Sequence, residues 1–97
     1  MKINIKKLKE IILEILVIGV IFITILSLFD HTHWNGILEE EDKSIAKKIF
    51  NRYYFVTTSI STVGYGDISP KSYSCKFIVS LLQILVAIHI MSIVGHF

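Results

Sequence analysis

The sequence predicts an all-α membrane fold, with two spanning helices flanking a segment that enters the bilayer and returns. Three observations carry that expectation. Of the 97 residues, 53% are hydrophobic and a single one is proline, more apolar side chain than a soluble domain this small can bury. The apolar residues gather in two blocks, 11–29 and 77–97, each about long enough to cross a hydrocarbon core of roughly 30 Å at 1.5 Å per residue. Between them lies the segment 44–61, moderately apolar but bearing Lys47, Lys48 and Arg52, too short and too charged to span. It should dip and return.

Residues 1–10 hold Lys2, Lys6, Lys7 and Lys9 beside Ile3, Ile5 and Leu8. Such an amphipathic segment lies on an anionic cytoplasmic leaflet and places the N-terminus inside; a solvated tail is the other reading. Lysines followed by an apolar run also resemble a secretory signal, but the run is long and Ser27-Leu28-Phe29-Asp30 makes a poor cleavage site. The run at 11–29 is therefore read as a retained first span. Glu10 and Glu14, one turn apart at its start, belong at the interface with Lys6, Lys7 or Lys9 as partners. Thr24 and Ser27 can bond back to their own helix.

Residues 30–43 are polar, with Gly36 as a turn and the run Glu39-Glu40-Glu41-Asp42, and read as an exposed turret. Its acids either concentrate cations over about 10 Å or form an ordinary solvated loop. His31 and His33 make a weak metal site, since two imidazoles leave most of a coordination shell empty. The lone Cys75 excludes an intrachain disulfide and a thiol metal centre. A formal charge of +2, without a basic stripe interleaved with aromatics, excludes a nucleic-acid partner.

The most specific string is Thr62-Val63-Gly64-Tyr65-Gly66-Asp67. Glycines alternating with larger residues let φ change sign along the chain, so that successive carbonyls aim at one axis and replace water around a cation. The competing reading is a glycine-containing turn. One strand gives one oxygen per layer, and two helices cannot wall an aqueous path, so several copies must assemble.

This string resembles the filter of the tetrameric potassium channels. The resemblance implies a single pore domain over 1–97, assembled as a C4 homotetramer in a lipid bilayer. Its parts would be an outer helix (11–29), a turret (30–43), the turret end with a pore helix (44–61, the helix at about 51–60), a selectivity filter (62–67), an outer-mouth loop (68–74) and an inner helix (75–97). The carbonyls of Thr62, Val63, Gly64 and Tyr65, with the Thr62 hydroxyl, would hold K+, and Gly66 would complete the loop. Tyr53, Tyr54 and Phe55 would brace Tyr65 where many relatives carry tryptophan. Asp67 would bond back to the pore helix, unless it is an ordinary acidic turn residue. Thr57, Thr58 and Ser59 stand where some relatives place a carboxylate.

Pro70 ends the loop, with Ser72 or Ser74 as N-cap of the following helix. The ungapped spacing from filter to Lys76 carries the family register onward. On it Gln83, Ala87, Ile90 and Val94 share one face and line a cavity; Leu85, His89, Ser92 and His96 form a competing, more polar face, with His89 read as bonded between helices. No glycine precedes Gly95 in this helix, so the hinge common in relatives is missing. Gating is expected at the filter, at Ser80 or Ser92 where hydroxyls bond to the preceding turn, or at Phe97 as an apolar constriction. No arginine-rich helix suggests voltage sensing.

Lys and Arg counts do not settle orientation. In the family the loop enters from outside, which makes the protein a multi-pass one with both termini cytoplasmic. In size it resembles the miniature potassium channels of algal viruses. The expected function is passive potassium conduction without catalysis or a cofactor. The alternatives are the pore fragment of a larger gated channel, or a small structural or holin-like membrane protein.

Overall fold

A computed structural model describes residues 4–95. Its first element, α1 (Ile5–Leu26), begins where the Asn4 side chain accepts a hydrogen bond from the Lys7 amide at 3.2 Å. That cap draws Lys6, Lys7 and Lys9 of the amphipathic segment into the helix, so α1 starts earlier than the apolar run and stops before its end; Lys2 and Ile3 of that segment lie outside the described residues. Thr24 and Ser27 donate to the carbonyls of Val20 and Ile23. Next come a 3-10 turn (His31–His33), β1 (Trp34–Asn35) and the short helix α2 (Glu39–Asp42).

The segment 44–61 is helical over α3 (Ile45–Ile60), longer than the expected 51–60, because Ser44 caps it by accepting from the Lys47 amide. After the loop, β2 (Ser69–Pro70) pairs antiparallel with β1, Trp34 facing Pro70 and Asn35 facing Ser69. The last helix, α4 (Tyr73–Val94), is capped by Ser72, whose hydroxyl accepts from the Cys75 amide at 3.2 Å, and so begins two residues before the expected 75. Among the described residues α4 is the helix long and apolar enough to cross a membrane. The equally long α1 carries Lys6, Lys7, Lys9, Glu10 and Glu14 in its first half.

Each long helix buries a narrow stripe. On α1 it is Ile11, Ile15, Gly19, Phe22 and Leu26; on α4 it is Cys75, Val79, Leu82 and Val86. Steps of three and four keep those side chains on one face. Phe55 and Val56 of α3 join them with Trp34 and Ile37 from the segment 30–43, so the core lies where α3 packs against the C-terminal end of α1 and the N-terminal half of α4. The remaining faces are apolar and bare: Leu13, Leu16, Val20 and Ile21 on α1, and Phe77, Leu81, Ile84, Ile88 and Met91 on α4 are all exposed. Apolar surface of that extent calls for lipid or another protein surface.

Arg52, counted with Lys47 and Lys48 among the charges that make the segment 44–61 too charged to span, does not share their surroundings. It is fully buried, paired with Asp42 at 2.6 Å, while Lys47 stays exposed. The arginine lies on the core side of α3, where a charge is tolerated only with a counter-charge and acceptors at hand.

Candidate functional site

The string 62–67 follows the last turn of α3, which closes with the Ser61 amide donating to Thr57 O at 3.0 Å. Two further amides turn back onto the helix end: Thr62 N donates to Ser59 O and Gly64 N to Thr58 O, both at 3.2 Å. The C-terminus of α3 and the loop are therefore one unit. Along it φ is +64° at Thr62, +55° at Gly64 and +82° at Gly66, whereas Val63 and Tyr65 lie outside the positive region. Positive values thus recur at every second residue. Thr62 is the non-glycine residue with positive φ among the described residues, and a β-branched side chain held there costs about 1–3 kcal/mol.

The end of the loop at Asp67 is held by two contacts. The Tyr54 hydroxyl donates to Asp67 Oδ2 at 2.9 Å. From the turret, Gly36 at φ +86° lies so close that a Cβ there would meet Asp67 O at 1.8 Å. The three aromatic residues of α3 divide their roles. Tyr54 reaches the loop, Phe55 packs edge-on against Trp34 at 5.0 Å between centroids, and Tyr53 stays half exposed beside Leu16 and Val20. Val63 and Tyr65 project outward from the single chain. Removing the hydroxyl in Tyr54→Phe is expected to loosen the end of the loop, measured as faster amide exchange at Asp67 in the native assembly; an unchanged rate would mean that Asp67 is held by other contacts.

Below the loop is a concavity of about 270 Å³. Thr58 and Ser59 from the end of α3 and Thr62 and Gly64 from the loop form one side; Gln83, Val86, Ala87 and Ile90 of α4 form the other. Three of the four residues expected to line a cavity meet there. Val94 does not: it lies one turn beyond Ile90 and is exposed. Val86 belongs partly to the core stripe, which is why a one-face reading of the helix omitted it.

His89 faces elsewhere. Its Nδ1 bonds Leu85 O at 2.7 Å and its Nε2 lies 2.9 Å from Glu14 Oε2 on α1. Glu14 therefore pairs across helices and not with the lysines, while Lys7 approaches Glu10 at 3.8 Å. Ser80 and Ser92 donate to Lys76 O at 2.7 Å and Ile88 O at 3.1 Å within α4. His96 and Phe97 lie outside the described residues.

Two of the four turret acids are structural. Glu41 accepts from the Leu38 amide and Asn51 Nδ2, bonds that hold its carboxyl below the ordinary 4.5; Asp42 holds Arg52. Glu39 and Glu40 remain exposed. His33 Nδ1 meets the Ser72 hydroxyl at 2.6 Å and its ring lies edge-on to Phe29. No group of three metal-ligating side chains occurs among the described residues.

A family model described as ion channel matches residues 10–96, which takes in most of α1 and all of α3, the loop and α4. The chain belongs to this ion-channel family. Together with the apolar α4 and the bare apolar faces, membership makes it a membrane protein. Among curated proteins it is similar to a hyperpolarization-activated voltage-gated potassium channel of Methanocaldococcus jannaschii, 44% identical over 43 residues. That alignment spans 44% of this chain and only 21% of the relative, so the chain matches about a fifth of the relative's length. No solved structure matches it.

Arg52, Trp34 and Gly36 are the structural supports that the sequence reading missed. One signal for Arg52 was present: an arginine in a segment meant for membrane depth needs a carboxylate, and an acidic run lies ten residues upstream.

Proposed function

We propose that four copies of this chain surround a potassium-selective pore, with K+ passing between the carbonyls of Thr62, Val63, Gly64 and Tyr65. The observation that carries the reading is the recurrence of positive φ at Thr62, Gly64 and Gly66 directly above a concavity walled by Gln83, Ala87 and Ile90. Alternating backbone sign is what stacks carbonyls along one axis, and four such strands replace the hydration shell that a bare ion gives up. The C-terminal residues Thr58 and Ser59 of α3 border the same concavity. The half-charge at a helix C-terminus would there favour a cation at the pore axis.

In this arrangement α1 and α4 both span, α3 enters from the outside, and both termini are cytoplasmic. The Glu14 and His89 pair then falls near the inner ends of the two spans, where ionisable groups are least costly. The bare apolar faces of α1 and α4 meet lipid and the neighbouring copies. The name of the archaeal relative supports potassium as the ion. Its greater length favours one second reading: this pore as the conducting part of a larger gated channel, in place of a self-sufficient pore like the miniature viral channels.

The test is conduction by the purified chain in planar bilayers. Unitary currents should reverse near the potassium equilibrium potential, moving by about 59 mV for each tenfold change in gradient, as for any permeant ion of one elementary charge. Currents indifferent to the exchange of K+ for Na+ would reject the filter assignment. Assembled protein that is silent alone would favour the second reading.

A further inference from the structure

We propose that Arg52 is a positioning residue that clamps the loop 62–67 at both ends, an inference that rests on the potassium-filter reading above. Arg52 is fully buried, and its guanidinium makes four hydrogen bonds. Nη1 donates to Asp42 Oδ1 at 2.6 Å and to Lys48 O at 3.3 Å; Nη2 donates to Asp42 Oδ2 at 3.1 Å and to Phe29 O at 2.7 Å. The Trp34 ring lies 5.6 Å from the guanidinium carbon. One side chain thus joins the exit from α1, the turret helix α2, the strand β1 and α3.

A buried ion pair is a weak source of stability, since apolar residues of similar volume often serve as well. What a planar fork adds is direction. Bidentate contact with Asp42 and a further bond to Phe29 O fix the rotation of α3 about its axis as well as its distance from the turret.

Two routes lead from this hub to the loop. The inner one is α3 itself, a stiff helix whose last turn offers Ser59 O and Thr58 O to the amides of Thr62 and Gly64. The outer one runs through Trp34, which sits against the guanidinium and opens β1. Next to it Asn35 pairs with Ser69, and then Gly36 abuts Asp67 O without room for a Cβ. Tyr54, two residues beyond Arg52, adds its bond to the Asp67 carboxylate. Losing the fork frees α3 to rotate and the turret to lift, so the inner and outer ends of the loop loosen together. Arg52 itself touches no ion.

The experiment compares the wild-type assembly with Arg52→Lys and with the double variant Arg52→Met/Asp42→Leu, which leaves no unpaired buried charge. Two quantities are read: amide exchange at Thr62 and Gly64, and the K+/Na+ permeability ratio. In the double variant we expect exchange about tenfold faster, as for any segment released to local opening, together with a permeability ratio about tenfold lower. Arg52→Lys keeps the charge but not the fork and should fall between the two; should the double variant not assemble, it carries both measurements. Wild-type exchange and wild-type selectivity in the variants would overturn the clamp. If the wild-type protein itself does not distinguish K+ from Na+, the potassium reading fails, and the exchange rates alone still decide whether Arg52 holds the loop.

Discussion

Gly64→Ala is expected to leave the chain folded and assembled and to abolish selective potassium conduction. The reasoning begins with what the substitution does not do. A Cβ at Gly64 meets no atom within 4 Å, so no clash forces the loop apart. The effect is conformational: at φ +55° an L-alanine carries a penalty of about 1–2 kcal/mol. In the proposed pore of four copies around one axis, the penalties would act on a single pathway and sum to about 4–8 kcal/mol per pore. Thr62 already holds an unfavourable φ two residues upstream, which leaves the loop little reserve. The least costly escape is rotation of a peptide plane next to residue 64, which turns a carbonyl off the axis and deletes a ring of ligands. Single-channel recording in a potassium gradient checks this, with chemical cross-linking to confirm that the assembly persists. If the alanine variant conducted with undiminished preference for K+, the sign alternation would not be what builds the path.

The parts of this structure that a linear reading reaches are those that local chemistry decides. Ser72 marks a helix start because a hydroxyl must meet an orphan amide there. The glycines at 64 and 66 announce positive φ because few other residues tolerate it. Facing is harder to read. α4 is largely apolar all round, so composition alone cannot say which residues look toward the loop; of the face that the family resemblance implies, Gln83, Ala87 and Ile90 meet the concavity while Val94 falls outside it. The supports were hidden for a different reason. Nothing in the sequence pairs Arg52 with Asp42 and Phe29 O, or Phe55 with the ring of Trp34 twenty-one positions upstream. Contacts between distant segments leave no periodicity for sequence reasoning to detect.

Gly36→Ala is expected to be the more damaging of the two glycine substitutions, because here strain and collision coincide. At φ +86° the residue pays the same left-handed penalty of about 1–2 kcal/mol. In addition its Cβ would sit 1.8 Å from Asp67 O, where ordinary contact begins near 3.4 Å, so the turret and the loop must separate by roughly the difference, 3.4 − 1.8 = 1.6 Å. The obstacle is backbone on both sides and no rotamer relieves it. A retreat of that size strains what ties the segment 30–43 to the segment 68–74: the pairing of Trp34 with Pro70 and Asn35 with Ser69, and the bond from Lys71 N to His33 O at 2.7 Å. Destabilisation should exceed about 3 kcal/mol, in the range that close overpacking reaches. The Lys71 amide is the local reporter and should exchange much faster in the variant than in the wild type, alongside reduced discrimination between K+ and Na+. Retained Lys71 protection would mean that the turret does not press on Asp67 in the assembled protein, and the outer half of the Arg52 clamp would fail with it. A fast Lys71 amide with selectivity intact would place the loop's geometry under the control of α3 and Tyr54 alone.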